Sequence, residues 1–243
     1  MGLSTQNISV KRGCGLVLSV LAALTLSSGI FSACGSRLSP VYLTWTELSR
    51  LPISSPPGIS SEEEKADFAI LTQWQAKRTG AQCSQASNET KISFKTMFGK
   101  LHPFKRPAPA VVKRLFKNAN ADAYIASTIA KERFHRPRPY TRDGNIKPCV
   151  SVPSGYSYPS GHATTARLYA RILADLDPKC AAAYIKRADD IALNRVIGGV
   201  HYFSDIESGK QLADELYAAL QNTPSFRKDM EAARAFATEP CQR

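Results

Sequence analysis

One short stretch of the chain combines a hydroxyl, a glycine and a histidine where a helix is predicted to begin. It reads SYPSGHA over Ser157–Ala163, and the helical pattern ATTARLYARILA starts at its last residue. Ser160 is a good N-cap residue, because its side chain can accept a hydrogen bond from the first turn. The N–H groups of a helix start favour an anion, Gly161 lets the anion approach closely, and His162 can donate or accept a proton. The stretch predicts an anion site with acid–base chemistry, although a serine-capped helix beside an incidental histidine gives the same pattern.

A second pair of residues suited to chemistry lies downstream in NRVIGGVHYFSD, residues 194–205. His201 and Asp205 are four apart, so on one helix face their Cβ atoms would lie about 5–6 Å apart. A carboxylate at that distance can accept the imidazole N–H, fix the tautomer and support positive charge on the ring. The alternative is a surface pair without a function. Arg195 precedes the pair at the predicted end of a helix, before a Gly-Gly break.

Basic residues cluster upstream in KERFHRPRP, residues 131–139. Pro137 and Pro139 cannot continue a helix, so Lys131 and Arg138 are expected on either side of a helix-to-loop turn. Such cations can bind an anion, but a solvated basic helix end has the same composition, because positive charge is favourable there.

The charge of the whole chain also favours anionic partners. It has 243 residues and a formal net charge of +12. An excess of this size suits phosphorylated metabolites, nucleic acid or a membrane surface. The basic residues are spread along the chain and form no long tail, which argues against nucleic acid as a dedicated partner.

Residues 1–34 are predicted to be a signal segment. Lys11 and Arg12 form a positive region, the apolar run GLVLSVLAALTL follows, and small residues come next. The run is too short and too rich in small residues for a membrane span. The sequence FSAC, ending at Cys34, resembles a bacterial lipoprotein box. Lipidation of Cys34, which would anchor the protein to a membrane, and plain cleavage are the alternatives, and we expect a periplasmic or secreted bacterial protein.

Cysteine usage agrees with export. Four cysteines in an oxidising compartment predict two disulfides with three connectivities, between which the sequence does not choose. No CxxC or HxxxH spacing occurs, which argues against a metal site. The four residues are Cys83, Cys149, Cys180 and Cys241.

The rest of the sequence predicts helices, with no convincing strand pair and no internal repeat. Residues 35–60 are rich in proline and are predicted to be irregular, and residues 61–243 are predicted to form one all-α domain. Loops are predicted over 79–88 and 135–157. The predicted helices cover 61–78, 91–98, 109–117, 123–134, 161–173, 179–195, 203–220 and 224–236.

Together, the three blocks resemble the signature of the phosphatidic acid phosphatase type 2 superfamily. That signature is Lys-x6-Arg-Pro, then Pro-Ser-Gly-His, then Arg-x5-His-x3-Asp, and here it covers Lys131–Asp205. Membrane lipid phosphatases and vanadium-dependent haloperoxidases share it, and the exported N-terminus makes the chain similar to bacterial class A non-specific acid phosphatases. The resemblance implies a single helical-bundle domain of the superfamily's type. Asn194 and Ala163 depart from the residues common at their positions, Ser and Thr, which bears on substrate preference more than on the reaction.

The resemblance implies a metal-independent acid phosphatase without a cofactor. His201 attacks phosphorus and forms a phosphohistidine, Asp205 orients it, and His162 protonates the leaving alkoxide and later activates water. With a pKa near the unperturbed value of about 6.5, His162 would be protonated in mild acid. Inorganic phosphate or vanadate would inhibit. The phosphate-binding residues implied are Lys131, Arg138, Ser160, Gly161 and Arg195.

The substrates implied are phosphate monoesters of broad range, with phosphoryl transfer to alcohols as a variant reaction. The alternatives are a lipid-linked phosphate or diphosphate phosphatase at the membrane surface, a vanadium haloperoxidase, and a non-enzymatic anion-binding module. The natural substrate and the oligomeric state, including a homo-oligomer, are left open by the sequence.

Overall fold

A computed structural model describes residues 39–99 and 101–238. The predicted signal segment at residues 1–34, and Cys34 with it, lies outside them. The described residues form ten α-helices and one short 3-10 helix, and none of them is in a strand. The prediction of an all-α protein is therefore confirmed. Within these two ranges, no helix is both long enough and apolar enough to cross a membrane.

The helices are numbered α1 to α10 in chain order. Their bounds are α1 Trp45–Ser49, α2 Glu62–Lys77, α3 Gly80–Asn88, α4 Phe94–Phe98, α5 Ala110–Phe134, α6 Pro139–Arg142, α7 Gly161–Leu176, α8 Ala181–Ile197, α9 Phe203–Gln221 and α10 Pro224–Arg234, with the 3-10 helix Pro178–Cys180 before α8.

Helix α3 replaces the loop predicted over residues 79–88, so that prediction was wrong. Thr79 and Gln82 form a reciprocal capping box: the Gln82 N–H donates to Thr79 Oγ1 over 3.2 Å, and the Thr79 N–H donates to Gln82 Oε1 over 2.8 Å. Such a box satisfies two N–H groups that would otherwise lack partners, and it starts a helix even in a polar sequence. The helix packs against α8.

Among the described residues, Cys83 of α3 is paired with Cys149 in a disulfide. Cys180 is also disulfide-bonded, and Cys241 lies outside the described residues. Spacing alone could not choose the Cys83–Cys149 pair, because the choice depends on how α3 docks beside the loop that precedes α7.

Helix α5 is continuous where two helices were predicted. Asp122, which directly precedes the second predicted helix, lies inside α5, and its buried carboxylate accepts the N–H groups of residues 41, 42 and 43 at 2.6–3.1 Å. An aspartate that finds tertiary donors in this way does not need to end a helix. It ties the N-terminal segment to the bundle.

Two short helices interrupt segments predicted to be irregular. Within 35–60, α1 begins after a capping box formed by Thr44 and Glu47. Within 135–157, α6 begins at Pro139, a residue that the first turn of a helix tolerates because its missing N–H has no partner there. The remaining predicted helices are confirmed with shifted ends.

Helix α7 is the central helix, packed against α5, α8 and α9. Its contact with α9 is close because Gly209 lies against the start of α7. A Cβ added there would meet the Ser160 carbonyl oxygen at 2.6 Å and the Ala163 Cβ at 3.0 Å. The Ser160 N–H donates to the Asp205 carbonyl oxygen over 2.9 Å across the same contact. This helix pair therefore brings the second and third sequence blocks together.

We predict that Gly209→Ala separates α7 from α9, because the Ser160 backbone cannot yield to a Cβ at 2.6 Å. Overpacking of this kind costs about 1–3 kcal/mol of unfolding free energy. The displaced site should lower kcat by about tenfold or more. Thermal unfolding and phosphatase kinetics measure the two effects. Gly144→Ala is the matched control, since nothing lies within 4 Å of its added Cβ; equal behaviour of the two variants would contradict the prediction.

Candidate active site

The tautomer of His201 is defined by the hydrogen-bond partners of its two ring nitrogens. Its Nδ1 lies 3.1 Å from Asp205 Oδ2, and its Nε2 lies 3.2 Å from Arg138 Nη1. A guanidinium only donates, so Nε2 must accept, and Nδ1 carries the proton that it donates to the carboxylate. The neutral ring therefore has its lone pair on Nε2. The pair does not lie on one helix face as predicted, because His201 precedes α9, whereas Asp205 is in its first turn.

Asp205 is fully buried and is held from several sides. Its Oδ2 accepts the Tyr202 N–H over 2.9 Å, and its Oδ1 accepts from Arg136 Nη1 over 2.7 Å. Burial raises the pKa of Asp205, while the Arg136 charge acts in the opposite direction. The fixed carboxylate orients the His201 ring and can support positive charge on it.

His162 lies in the first turn of α7 and is half-buried. Its Nε2 is 3.0 Å from the Thr90 carbonyl oxygen, which can only accept, so this nitrogen carries a proton. Nδ1 is then the nitrogen that can gain or lose a proton without breaking that bond. Burial, together with the positive charge of Arg195, lowers the pKa of His162 to about 4. The sequence predicted an unperturbed value, so this is a correction for the free protein.

Ser160 is the N-cap of α7, as predicted. Its Oγ accepts the Ala163 N–H over 3.4 Å, and the first helical backbone bond runs from the Thr164 N–H to the Ser160 carbonyl oxygen. The N–H groups of Gly161 and His162 precede that bond, so they have no acceptor within the helix. Two N–H groups at the positive end of a helix dipole form a suitable site for an anion.

Arg138 borders His201. Its Nη1 donates to the Val200 carbonyl oxygen over 2.8 Å as well as to His201, and its Nε donates to the Gly155 carbonyl oxygen over 3.0 Å. Burial lowers the pKa of Arg138. The acceptors in these hydrogen bonds are neutral, so the full positive charge of Arg138 remains to attract an anion.

Arg195 is almost fully buried at the end of α8. Its Nη2 donates to the Ala86 carbonyl oxygen, and its buried Nε has no hydrogen-bond partner among the described residues. Burial lowers the pKa of Arg195 to about 10, against an opposing effect of Glu89. A buried guanidinium with an unsatisfied donor is costly unless a ligand accepts from it.

Lys131 holds the loop that precedes α7. Its Nζ donates to the carbonyl oxygens of Tyr156, Ser157 and Pro159 at 2.9, 3.1 and 2.6 Å. Burial, with the nearby Arg138 charge, lowers the pKa of Lys131 to about 7. In this arrangement Lys131 positions Ser160 from behind, in addition to its charge.

The electrostatics of His201 show that the three blocks converge. Burial lowers its pKa well below the usual value, and the charges that add to this effect come from all three blocks. A lowered pKa keeps the ring neutral into the acidic range, which a nitrogen nucleophile requires. The charges belong to Arg138, Lys131, His162 and Arg195.

A buried network behind Asp205 was missed by the sequence analysis. Arg136 bridges Asp205 and Asp67, whose Oδ2 lies 2.8 Å from Arg136 Nη2, and its guanidinium lies 3.9 Å from the centre of the Tyr202 ring. Ser204 completes the network by donating its N–H to Asp67 Oδ1 over 2.9 Å. Arg136 lies in the first block, whereas Asp67 in α2 gave no signal.

The two other histidines were left out of the predicted site. His102 is buried beside Phe94 and accepts the Phe104 N–H at Nδ1 over 3.2 Å. His135 is exposed and lies 3.6 Å from Glu132. Among the hydrogen bonds of the described residues, neither imidazole ring is a partner of His201 or of the other predicted site residues.

Comparison with known proteins agrees with this geometry. The model of the PAP2 superfamily matches residues 115–213, a span that contains all eight predicted site residues. The match confirms the resemblance to this superfamily that the three blocks predict.

One curated relative and two solved structures illustrate the proteins to which this chain is similar. The chain is 27% identical over 191 residues to the non-specific acid phosphatase of Providencia stuartii, covering 74% of this chain and 76% of that one. Its fold resembles a bacterial vanadium-dependent iodoperoxidase, with a TM-score of 0.58, 20% identity and coverage of 72% and 53% of the two chains. It also resembles a transmembrane PAP2-type phosphatidylglycerolphosphate phosphatase of Bacillus subtilis, with a TM-score of 0.50, 20% identity and coverage of 76% and 92%.

We predict that the pKa of His162 in the phosphate-free protein is about 4 and that it rises on anion binding. A dianion beside the ring offsets the Arg195 charge, so saturating phosphate should raise the pKa by about one unit or more. Proton NMR titration of the ring measures both values, with His162→Gln to assign the signal. An unchanged pKa in phosphate would place the anion elsewhere.

We also predict that Asp67→Asn lowers kcat by about fivefold to tenfold and leaves KM within about twofold. The reason is that Arg136 loses its second carboxylate, so the Asp205 and His201 orientation loosens without a change at the phosphate site. Asp214→Asn is the control, because Asp214 also binds two arginines, Arg167 and Arg171, at another position in the bundle. A loss confined to KM, or an equal loss in the control, would contradict the positioning role.

Proposed function

We propose that this protein is an exported acid phosphatase that hydrolyses phosphate monoesters of broad range through a phosphohistidine. The observation that carries the proposal is the neutral His201, whose Nε2 lone pair lies among the cationic groups of the three sequence blocks. The PAP2 superfamily match and the acid phosphatase relative of Providencia stuartii support phosphatase activity.

In the first step, His201 Nε2 forms a bond to phosphorus as the bond from phosphorus to the leaving oxygen breaks. His162, protonated at Nδ1 once the substrate dianion is bound, gives its proton to the leaving alkoxide. The Nδ1 proton of His201 stays on the ring, and the Asp205 carboxylate stabilises the resulting positive charge.

Charge on the transferring phosphoryl group is spread over its three equatorial oxygens in the transition state. Arg138 and Arg195 would donate to these oxygens in forked contacts, and the N–H groups of Gly161 and His162 would add donors at the α7 terminus. Lys131 adds positive charge and holds the Ser160 loop. These fixed groups supply the electrostatic stabilisation of the reaction.

In the second step, His162 takes a proton from water, the water oxygen bonds to phosphorus, and the bond to His201 Nε2 breaks. Inorganic phosphate leaves, and both histidines return to their starting states. An alcohol in place of water would give phosphoryl transfer by the same route. Inorganic phosphate and vanadate, which resemble the transferred group, would act as inhibitors.

Acidic conditions suit this arrangement. Because burial and the surrounding cations hold the pKa of His201 well below its usual range, mild acid does not protonate the nucleophile. The same acid raises the protonated fraction of His162, which the reaction needs.

A lipid phosphate phosphatase acting at a membrane surface is the second candidate. The fold match to the Bacillus subtilis phosphatidylglycerolphosphate phosphatase favours it, as does the lipoprotein-like sequence at Cys34. Comparing hydrolysis of p-nitrophenyl phosphate with that of a prenyl diphosphate in detergent distinguishes the two. Faster turnover of the water-soluble ester supports the first candidate.

The decisive experiment is substitution of the nucleophile. We predict that His201→Ala lowers kcat for p-nitrophenyl phosphate by about three orders of magnitude or more, because the covalent step is lost. Rapid alkaline quench should trap a labelled phosphoenzyme with the unmodified protein and none with the variant. His135→Ala is the control, since that exposed ring lies outside the site. Turnover by His201→Ala at near-normal rate would refute the assignment.

A further inference from the structure

A concave site outside the residues assembled around His201 is not used by the proposed reaction. It is a cavity of about 640 Å³ between α4, the start of α5 and the segment that joins them. Ligand pockets of proteins have volumes in this range. Its apolar wall contains Ile92, Phe94, Pro107, Ala108 and Tyr169.

Cations surround the apolar wall. Lys95, Lys113 and Lys117 are exposed and line the cavity, and no Asp or Glu is among its described lining residues. Lys113 and Lys117 are one turn apart on α5, so both side chains lie on the same face. An apolar wall with a cationic rim suits a flat apolar group that carries an anion.

Two contacts connect this cavity to His162. The Thr90 carbonyl oxygen, which accepts from His162 Nε2, lies two residues before Ile92 of the cavity wall. Asn120, another lining residue, accepts from the hydroxyl of Thr165, one turn after His162 in α7, over 3.3 Å. Residues that line the cavity are therefore neighbours, along the chain or by a hydrogen bond, of residues that hold the first turn of α7 and His162.

The direction of attack determines on which side of the phosphoryl group the alcohol part of the substrate lies. In phosphoryl transfer the attacking and leaving atoms are roughly in line with phosphorus. Attack by His201 thus directs the alcohol part of the substrate away from His201 and toward His162, which protonates it. Lys113 lies two turns, about 10 Å, beyond Asn120 along α5. An elongated alcohol would be needed to reach it.

We propose that this cavity binds the alcohol part of the substrate and selects aromatic alcohols that carry a second anionic group at their far end. This inference rests on the proposed phosphatase function and narrows its substrate class. Lys113 and Lys117 bind the distal anion, and the wall formed by Ile92, Phe94 and Tyr169 contacts the ring.

The test compares two esters that differ only in a distal anion: 2-naphthyl phosphate and its 6-sulfonate. The wild-type enzyme should have a kcat/KM about fivefold higher for the sulfonate, an effect expected from one or two exposed ion pairs. Lys113→Glu/Lys117→Glu should abolish or reverse that preference. The preference of the wild-type enzyme for the sulfonate, and any reversed preference of the variant, should diminish at high salt, because the lysine side chains that contact the sulfonate are exposed.

A matched variant controls for net charge. Lys179→Glu/Lys228→Glu changes the charge by the same amount at exposed positions that do not line the cavity, and it should keep the wild-type preference. Thermal unfolding of the Lys113→Glu/Lys117→Glu variant, compared with that of the control variant, shows whether it is folded.

Three outcomes are distinguishable. A sulfonate preference lost in the Lys113/Lys117 variant alone supports the proposal. No preference in the wild-type enzyme, or the same preference in both variants, overturns it while the phosphatase function stands. Failure of the wild-type enzyme to hydrolyse p-nitrophenyl phosphate would refute the phosphatase function itself.

Discussion

The buried ion pair between Arg136 and Asp205 is the interaction on which the site depends. A carboxylate taken fully out of water costs several kcal/mol unless it is paired and hydrogen-bonded. Asp205 meets this requirement through Arg136 at 2.7 Å, the Tyr202 N–H and the His201 ring. Arg136 has the same requirement, which Asp67 of α2 fulfils. One buried charge therefore fixes α2, the segment after α5 and α9 around a single imidazole.

On the other side of His201, several positive charges lie close together and repel one another. Carbonyl oxygens accept hydrogen bonds from all three side chains: three bind Lys131, two bind Arg138 and one binds Arg195. Carbonyls carry only partial charge, so the positive field is not cancelled. Burial, together with this positive field, lowers the pKa of both histidines. An entering dianion would relieve the mutual repulsion, and most of all for His162, the acid of the proposed reaction.

The types and order of the chemical groups could be predicted from the sequence because a short stretch of neighbouring residues specifies each of them. The Pro-Ser-Gly-His stretch predicts an N-capped helix start, and Ser160 is that cap. The apolar periodicity of residues 161–173 and 203–220 predicts amphipathic helices, and α7 and α9 extend it only by a turn or less. The helical class and the three blocks depended on short-range patterns of this kind. Polar segments with tertiary partners, such as α3 and the middle of α5 at Asp122, were predicted less well.

The sequence by itself determined that two histidines, an aspartate and several cations belong to one helical chain, since residue types and spacings carry that information. Only the tertiary structure decided which nitrogen of His201 has the lone pair, because that depends on Arg138 at one side and Asp205 at the other. It also decided that Asp67 supports the site from 138 residues away, and that the pKa of His162 lies near 4. Burial and long-range contacts set these properties, and neither is encoded in the order of neighbouring residues.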